Sequence, residues 1–196
     1  LVGALELGKV VVGGWSIGGT GVQVLITEHP EVATHAVLIA TAPPGEIVMP
    51  PERLFFERAL KPVNDLDDET VLFFEPASAS SRAAAVRSHE RIARRVRDLS
   101  PAIPPEVFLR LLEGKSREVI FEDVLGTREK LKKVTIPLMN LAGDHDIVMP
   151  VENWYARMKE LPNMQTFVFS HAGHGPQHEL PEASAEYIAT FVRTTS

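Results

Sequence analysis

Gly14-Trp15-Ser16-Ile17-Gly18-Gly19 is the stretch on which the reading of this chain turns. Before it stands a short apolar run, Lys9-Val10-Val11-Val12-Gly13, whose β-branched residues suit a strand buried on both faces. After it comes a mostly apolar helical stretch through about Ile26, closing at Glu28-His29-Pro30. A second buried strand is expected at about Ala36 to Ala40. Strand, helix and strand in that order spell a parallel β-α-β unit. A G-x-S-x-G sequence in the first turn of such a unit is a nucleophile elbow. The turn must be sharp and strained, so Gly14 and Gly18, two residues either side of Ser16, are expected to be glycines for lack of room. The turn aims the Ser16 hydroxyl into a cleft and places the Ile17 N–H at a helix N-terminus, where it can stabilise an oxyanion. A phosphate loop is excluded: the Gly-Lys-Ser/Thr ending is missing, and the glycine spacing is wrong for a dinucleotide fingerprint.

Outward from this point, Leu1 to Leu7 read as the tail of a helix. Residues 44–133 change character: proline pairs at Pro43-Pro44, Pro50-Pro51 and Pro104-Pro105 separate helical segments, and no strand stands out among them. The clearest helix is expected from Ser81 to Leu99, with Val86, Ala93, Val96 and Leu99 on one side. On the other side, Arg87, Arg91, Arg94 and Arg95 form a solvated stripe, or a docking patch for an acidic substrate or carrier. The β-α rhythm resumes at Ile136 to Ala142. A helix follows from Pro150 with Val151, Trp154, Tyr155, Met158 and Leu161 on one face, then a strand from Gln165 to Ser170. A closing helix is expected to bury Ser184, Tyr187, Ile188, Phe191 and Val192.

A serine nucleophile needs a base, and the base an orienting acid. The third strand runs into Gly143-Asp144-His145-Asp146-Ile147-Val148-Met149-Pro150, and the fourth into Ser170-His171-Ala172-Gly173-His174-Gly175-Pro176. Both loops leave the C-terminal ends of parallel strands, on the edge of the sheet that carries the elbow and where open α/β sheets place their sites. Asp144 and Asp146 both qualify as the acid from the residues alone.

Together, G-W-S-I-G-G, G-D-H-D-I-V-M-P and A-G-H-G-P-Q-H-E-L-P-E resemble an α/β-hydrolase-fold enzyme over roughly residues 1–42 and 134–196. The resemblance implies an α/β fold, the C-terminal part of a hydrolase: a mainly parallel sheet with flanking helices and a helical cap. Its core would span 1–43, carrying the elbow, and 134–196, carrying the acid and base loops, with 44–133 as the cap. It implies Ser16 as nucleophile, Asp146 as acid in preference to Asp144, His174 as base and Ile17 as oxyanion donor. The activity implied is carboxylic ester hydrolysis through an acyl-enzyme, and the elbow is similar to that of carboxylesterases acting on pimeloyl-carrier-protein methyl ester. Trp15 and His171 are expected at the substrate, and Leu54, Phe55, Phe56, Leu72, Phe73 and Phe74 either shape an acyl pocket or pack the cap. Alternatives are a weakly catalytic small-molecule-binding protein, or another triad chemistry such as perhydrolysis, C–C bond hydrolysis or amide cleavage. The family's second oxyanion donor comes from a loop upstream of the elbow, and the stretch before Ser16 holds no such motif. A missing N-terminal segment or a second chain is therefore expected to complete the sheet.

Composition fits this reading. The 196 residues carry 20 Lys and Arg against 26 Asp and Glu, a net charge of −6, so nucleic acid and anionic membrane are not expected partners; a small-molecule ester is. Zero cysteines exclude disulfides, thiolate nucleophiles and Cys-ligated metals, and suit a cytoplasmic location. The H-x-x-H-x-x-x-H spacing of His171, His174 and His178 matches no standard zinc signature, so neither metal nor cofactor is expected. His145 is expected as a solvated loop residue and His178 as a flank of the last helix, while His29, His35 and His89 carry no motif.

Overall fold

The computed structural model describes residues 2–95, 104, 106–107, 110, 118–119 and 121–195. Strand β1 (Val10–Trp15) passes through the turn at Ser16 into helix α1 (Ile17–Glu28), and β2 (Ala33–Ile39) follows. Then come α2 (Arg53–Ala59), α3 (Leu66–Phe73), α4 (Ala79–Ala93) and α5 (Thr127–Leu131), with no strand from 44 to 133 among the described residues. The sheet resumes with β3 (Leu138–Gly143), α6 (Glu152–Tyr155), β4 (Met164–Phe169), α7 (Pro176–Glu179) and α8 (Pro181–Thr195). The four strands are parallel in the order β1-β2-β3-β4, with Gly13 beside Val37, Val37 beside Met139 and Met139 beside Gln165.

Two apolar layers hold the sheet. On one face Val22 and Ile26 of α1, Leu131 of α5 and Trp154 of α6 pack on Ala36, Leu38 and Leu138. On the other, Phe191, with Ile188 and Val192 beside it, packs on Val37, Met139 and Leu141. The period-two alternation of a strand puts Leu38 and Val37 into different layers. Strand β3 is buried throughout, as its near-continuous apolar run requires.

Local differences from the sequence reading have physical causes. Residues 2–6 form turns rather than a helix tail, with Glu6 at φ 52°. Strand β1 is not buried on both faces: Val11 and Gly13 are exposed, because β1 is a sheet edge and α1 covers the face that carries Val12. The expected helix from Pro150 stops at Tyr155, and a 3₁₀ turn at Met158–Glu160 follows. Val151, Trp154 and Leu161 are buried there, but Tyr155 and Met158 are exposed. In α8 Ser184 and Phe191 are buried as expected, whereas Tyr187 is half in solvent against Phe167 and Phe169. The seam of α4 is Ser81, Ala84, Ala85 and Ser88, at i, i+3, i+4 and i+7; Val86 is 42% exposed. Along that seam Ala84 and Ala85 pack with Phe73 and Phe74, and Ser81 bonds Glu179. Val96 and Leu99 lie outside the described residues.

Candidate active site

The C-terminal ends of β1, β3 and β4 converge on one point. Ser16 sits at φ 54°, ψ −124°, a backbone region that costs a non-glycine residue about 1–3 kcal/mol. The surroundings enforce it: the Ser16 N–H donates to the Ile39 carbonyl at 2.9 Å, and the Gly19 N–H donates back to the Ser16 carbonyl at 2.9 Å. A Cβ on Gly14 would lie 2.3 Å from the Gly18 carbonyl oxygen, and one on Gly19 2.6 Å from the Thr41 side chain. A Cβ on Gly18 would meet nothing within 4 Å, so the tight positions are Gly14 and Gly19 rather than Gly14 and Gly18. Helix α1 begins at Ile17, leaving that N–H at the positive end of a twelve-residue helix while its side chain is exposed.

The loop after β3 turns tightly under the loop after β4. A Cβ on Gly143 would lie 2.2 Å from the Ala172 carbonyl oxygen, and the His145 N–H donates to that carbonyl at 3.0 Å. This brings Asp146 beneath His174. The His174 Nδ1 lies 2.8 Å from Asp146 Oδ2, and its Nε2 lies 2.9 Å from Ser16 Oγ. The other carboxylate oxygen of Asp146 accepts the N–H groups of Val148 and Met149, each at 2.8 Å. Asp146 is 5% and His174 2% exposed, so both bonds are shielded from water. With Asp146 accepting, Nδ1 carries the proton and Nε2 faces the serine as an acceptor.

Asp144 is placed differently. It accepts the Ala172 N–H at 3.3 Å and lies 2.6 Å from His145 Nδ1. Burial tends to raise its pKa, but the bonds from His145 and Ala172 prevail and hold it below the ordinary carboxylate value, while Asp144 in turn raises the His145 pKa. His171, expected at the substrate, occupies a left-handed turn at φ 57°; its ring is exposed and stacks on His145 with centroids 5.7 Å apart. Trp15, also expected there, is engaged by protein groups. Its indole N–H donates to the His174 carbonyl at 2.7 Å, and its ring packs on Phe73, His174 and His178 at 5.3–5.7 Å. It braces the histidine loop from the elbow side.

A cavity of about 370 Å³ opens between the loop after β3 and the helical segment, lined among others by Met49, Leu54, Phe74, Glu75, His145 and Asp146. Ser16, Trp15 and His171 do not line it. Of the aromatic residues expected in a pocket, Phe73 lies over Trp15 and His174, while Phe55 packs with Ile47, Val148 and Met149. Among the described residues, the group of His, Asp or Glu side chains close enough to share an ion is Asp65, Asp67 and Asp68, away from these loops. Asp67 and Asp68 are taken up by Arg58, and Asp68 also by Lys61. His178 lies 3.1 Å from Arg91, and burial followed by that guanidinium keeps its pKa below the ordinary value. Arg91 is therefore a member of the arginine stripe that reaches this loop. Sequence reasoning did not single out Glu179, whose buried carboxylate accepts the Gly173 N–H at 2.8 Å. Its one sequence signal is an acidic residue between Pro176 and Pro181, in the segment that carries His174.

Among the described residues, no helix is long and apolar enough to cross a membrane. Comparison with known proteins matches residues 1–181 to a family model described as the alpha/beta hydrolase fold. A 65-residue stretch is 32% identical to the uncharacterized hydrolase YugF of Bacillus subtilis (strain 168), covering 33% of this chain and 24% of that protein. Among solved structures, an alpha/beta hydrolase fold protein from Chitinophaga pinensis superposes with a TM-score of 0.71 at 20% identity, over 97% of this chain and 67% of that one. A meta-cleavage product hydrolase from Pseudomonas fluorescens IP01 gives 0.72 at 17% identity, over 100% and 68%. The chain thus spans about two thirds of the solved structures it resembles, and the matched stretch about a quarter of the curated relative.

Proposed function

This chain belongs to the alpha/beta hydrolase fold family, and from that premise we propose that it carries the machinery of a serine hydrolase acting on carboxylic esters. One observation carries the reading: a strained serine whose Oγ lies 2.9 Å from a buried imidazole, itself 2.8 Å from a buried carboxylate. As Ser16 Oγ attacks the ester carbonyl carbon, His174 Nε2 takes the hydroxyl proton and the carbonyl π electrons move onto oxygen. The Ile17 N–H at the start of α1 stabilises that oxyanion. Asp146, fixed by the Val148 and Met149 N–H groups, holds the imidazole tautomer and stabilises the imidazolium. Collapse of the tetrahedral intermediate breaks the bond to the alkoxy group, which leaves as an alcohol with the proton from Nε2. Water then yields a proton to Nε2 and attacks the acyl-serine; its collapse releases the carboxylic acid and returns the proton to Ser16.

Hydrolysis of p-nitrophenyl acetate by wild type and Ser16→Ala tests this. The expected loss is about 10³-fold or more, because removing one member disables the unit. Equal rates would refute it and favour a ligand-binding protein, a reading supported by the cavity standing against the acid loop rather than at Ser16.

A further inference from the structure

We propose that Glu179 is a positioning residue for His174, a buried carboxylate that ties the loop after β4 to the start of α4, so that seating of the helical segment and alignment of the imidazole are one event. The proposal rests on the reading of His174 as the base. Glu179 is the last residue of α7 and is 6% exposed. One of its oxygens accepts the Gly173 N–H at 2.8 Å, immediately before the histidine. The other accepts the hydroxyl of Ser81, in the first turn of α4, and Ser81 Oγ accepts the Glu75 N–H at 2.7 Å. Two further contacts close the joint. The Gly175 N–H donates to the Phe73 carbonyl at 2.7 Å, and a Cβ on Gly173 would lie 2.6 Å from the Phe74 carbonyl carbon. The two segments therefore touch backbone to backbone, with His174 between the two bonded glycines.

Chemistry explains why a carboxylate stands here. The donors converging on it are an N–H and a hydroxyl, and an ionised carboxylate is acceptor-only, whereas an amide would turn an NH₂ toward one of them. Burial raises the Glu179 pKa, with the Glu75 carboxylate adding to it, while the Ser81 hydroxyl and the Gly173 and Glu75 N–H groups favour the charged form. No Lys or Arg is bonded to Glu179 among the described residues, so the N–H and hydroxyl donors of this joint are what favours its charged form. On the opposite side the Trp15 indole holds the His174 carbonyl. His174 is thus gripped from the elbow and from the helical segment at once. A shift of about 1 Å in a reacting group can cost about 10²-fold in rate.

The test compares wild type, Glu179→Gln, Glu179→Ala and Ser81→Ala by three measurements. These are thermal unfolding, the second-order rate of Ser16 labelling by a fluorophosphonate, and the downfield proton resonance of the His174 Nδ1–H bonded to Asp146. Glu179→Ala is expected to label about 10–100-fold more slowly while folded, with its downfield resonance broadened. Glu179→Gln keeps one accepting oxygen but turns an NH₂ toward the second donor, and is expected to label at a rate between those of wild type and Glu179→Ala. With p-nitrophenyl acetate the loss should fall on kcat rather than KM. A Glu179→Ala protein that melts earlier but labels at the wild-type rate with the resonance intact would overturn the proposal, leaving Glu179 a staple of the fold alone. Should Glu179→Ala not fold, Ser81→Ala decides, with a slower labelling rate and a broadened resonance supporting the coupling and wild-type values overturning it. Failure of the hydrolase reading is seen separately, as wild type labelling no faster than Ser16→Ala. In that event the resonance, which needs no turnover, still decides whether Glu179 positions His174.

Discussion

The C-terminal edge of the sheet and the helical segment above it are built on different principles. At the sheet edge, position is fixed by backbone. Ser16, Ala40 and His171 all have positive φ, two glycines sit against carbonyl oxygens where a Cβ would come within 2.3 Å, and the loops exchange main-chain hydrogen bonds. Within the helical segment, side chains do most of the pinning. Asp68 is gripped by Arg58 at 2.7 Å and Lys61 at 2.5 Å, Asp65 caps α3 in a capping box, and Ser78 caps α4. Asn153 of α6 holds the chain entering this region by bonding the main chain of Val48 and Met49. A backbone-built region resists almost any substitution at its contact points, because the atoms opposite cannot move aside. A region pinned by side chains tolerates substitution everywhere except at its pins. Glu179 matters because it joins the two.

The largest effect should come from attacking the backbone-built side. Gly14→Ala sets a Cβ against the Gly18 carbonyl, with main chain on both sides of the contact. We expect a loss of at least about 3 kcal/mol, read as a drop in the denaturant midpoint together with loss of Ser16 labelling. Near-normal stability would show that the elbow can relax and would break the contrast.

A smaller effect, confined to the helical segment, is expected from Asp68→Asn. Hydrogen bonds from Lys61 and then Arg58 hold the Asp68 carboxyl well below the usual carboxylate range. The stability it lends is therefore present above its unfolded pKa of about 4 and is lost as pH falls through the lower folded value. Corrected for the intrinsic pH dependence of amide exchange, exchange in α2 and α3 should quicken in wild type as the pH is lowered. In Asp68→Asn it should be faster at neutral pH and change less with acid. Exchange in β3 should stay the same in both proteins, and a matching change there would mean that the two regions are not held separately.

The smallest effect is expected within the elbow turn itself. Gly18→Ala adds a methyl group to open space near the start of α1. Stability should change by no more than about 1 kcal/mol, in the stabilising direction, as measured by thermal unfolding. A loss as large as that of Gly14→Ala would mean that position 18 is constrained by something other than Cβ contacts.

Much of the sheet was legible because its signals are local. The β-branched run before Ser16, the glycines around it and the two loops rich in Asp and His each announce themselves within a few residues, and the strands fall within a few positions of where those signals place them. The segments that read differently depend on distant partners. Val86 reads as core by its residue type, but α4 packs through Ser81, Ala84, Ala85 and Ser88, against Phe73, Phe74 and Glu179. Tyr155 and Met158 fit a helical stripe, yet the helix from Pro150 ends after Tyr155. Trp15 and His171 flank motif residues, and the folded chain uses one as a brace and leaves the other on the surface.

Residue order alone places a serine on a strained turn between strand and helix, and loops bearing acids and histidines after the later strands. These features are consequences of backbone geometry at single turns, where residue type and conformation are tied within a few positions. Asp146 and His174 are already the acid and base implied by the motif resemblance, whereas it took the folded chain to reveal that Gly19 rather than Gly18 is the crowded glycine and that Glu179 binds the histidine loop to α4. Those outcomes depend on distances between segments far apart in the chain, set by packing the whole sheet and its helices, and no local pattern of residues encodes them.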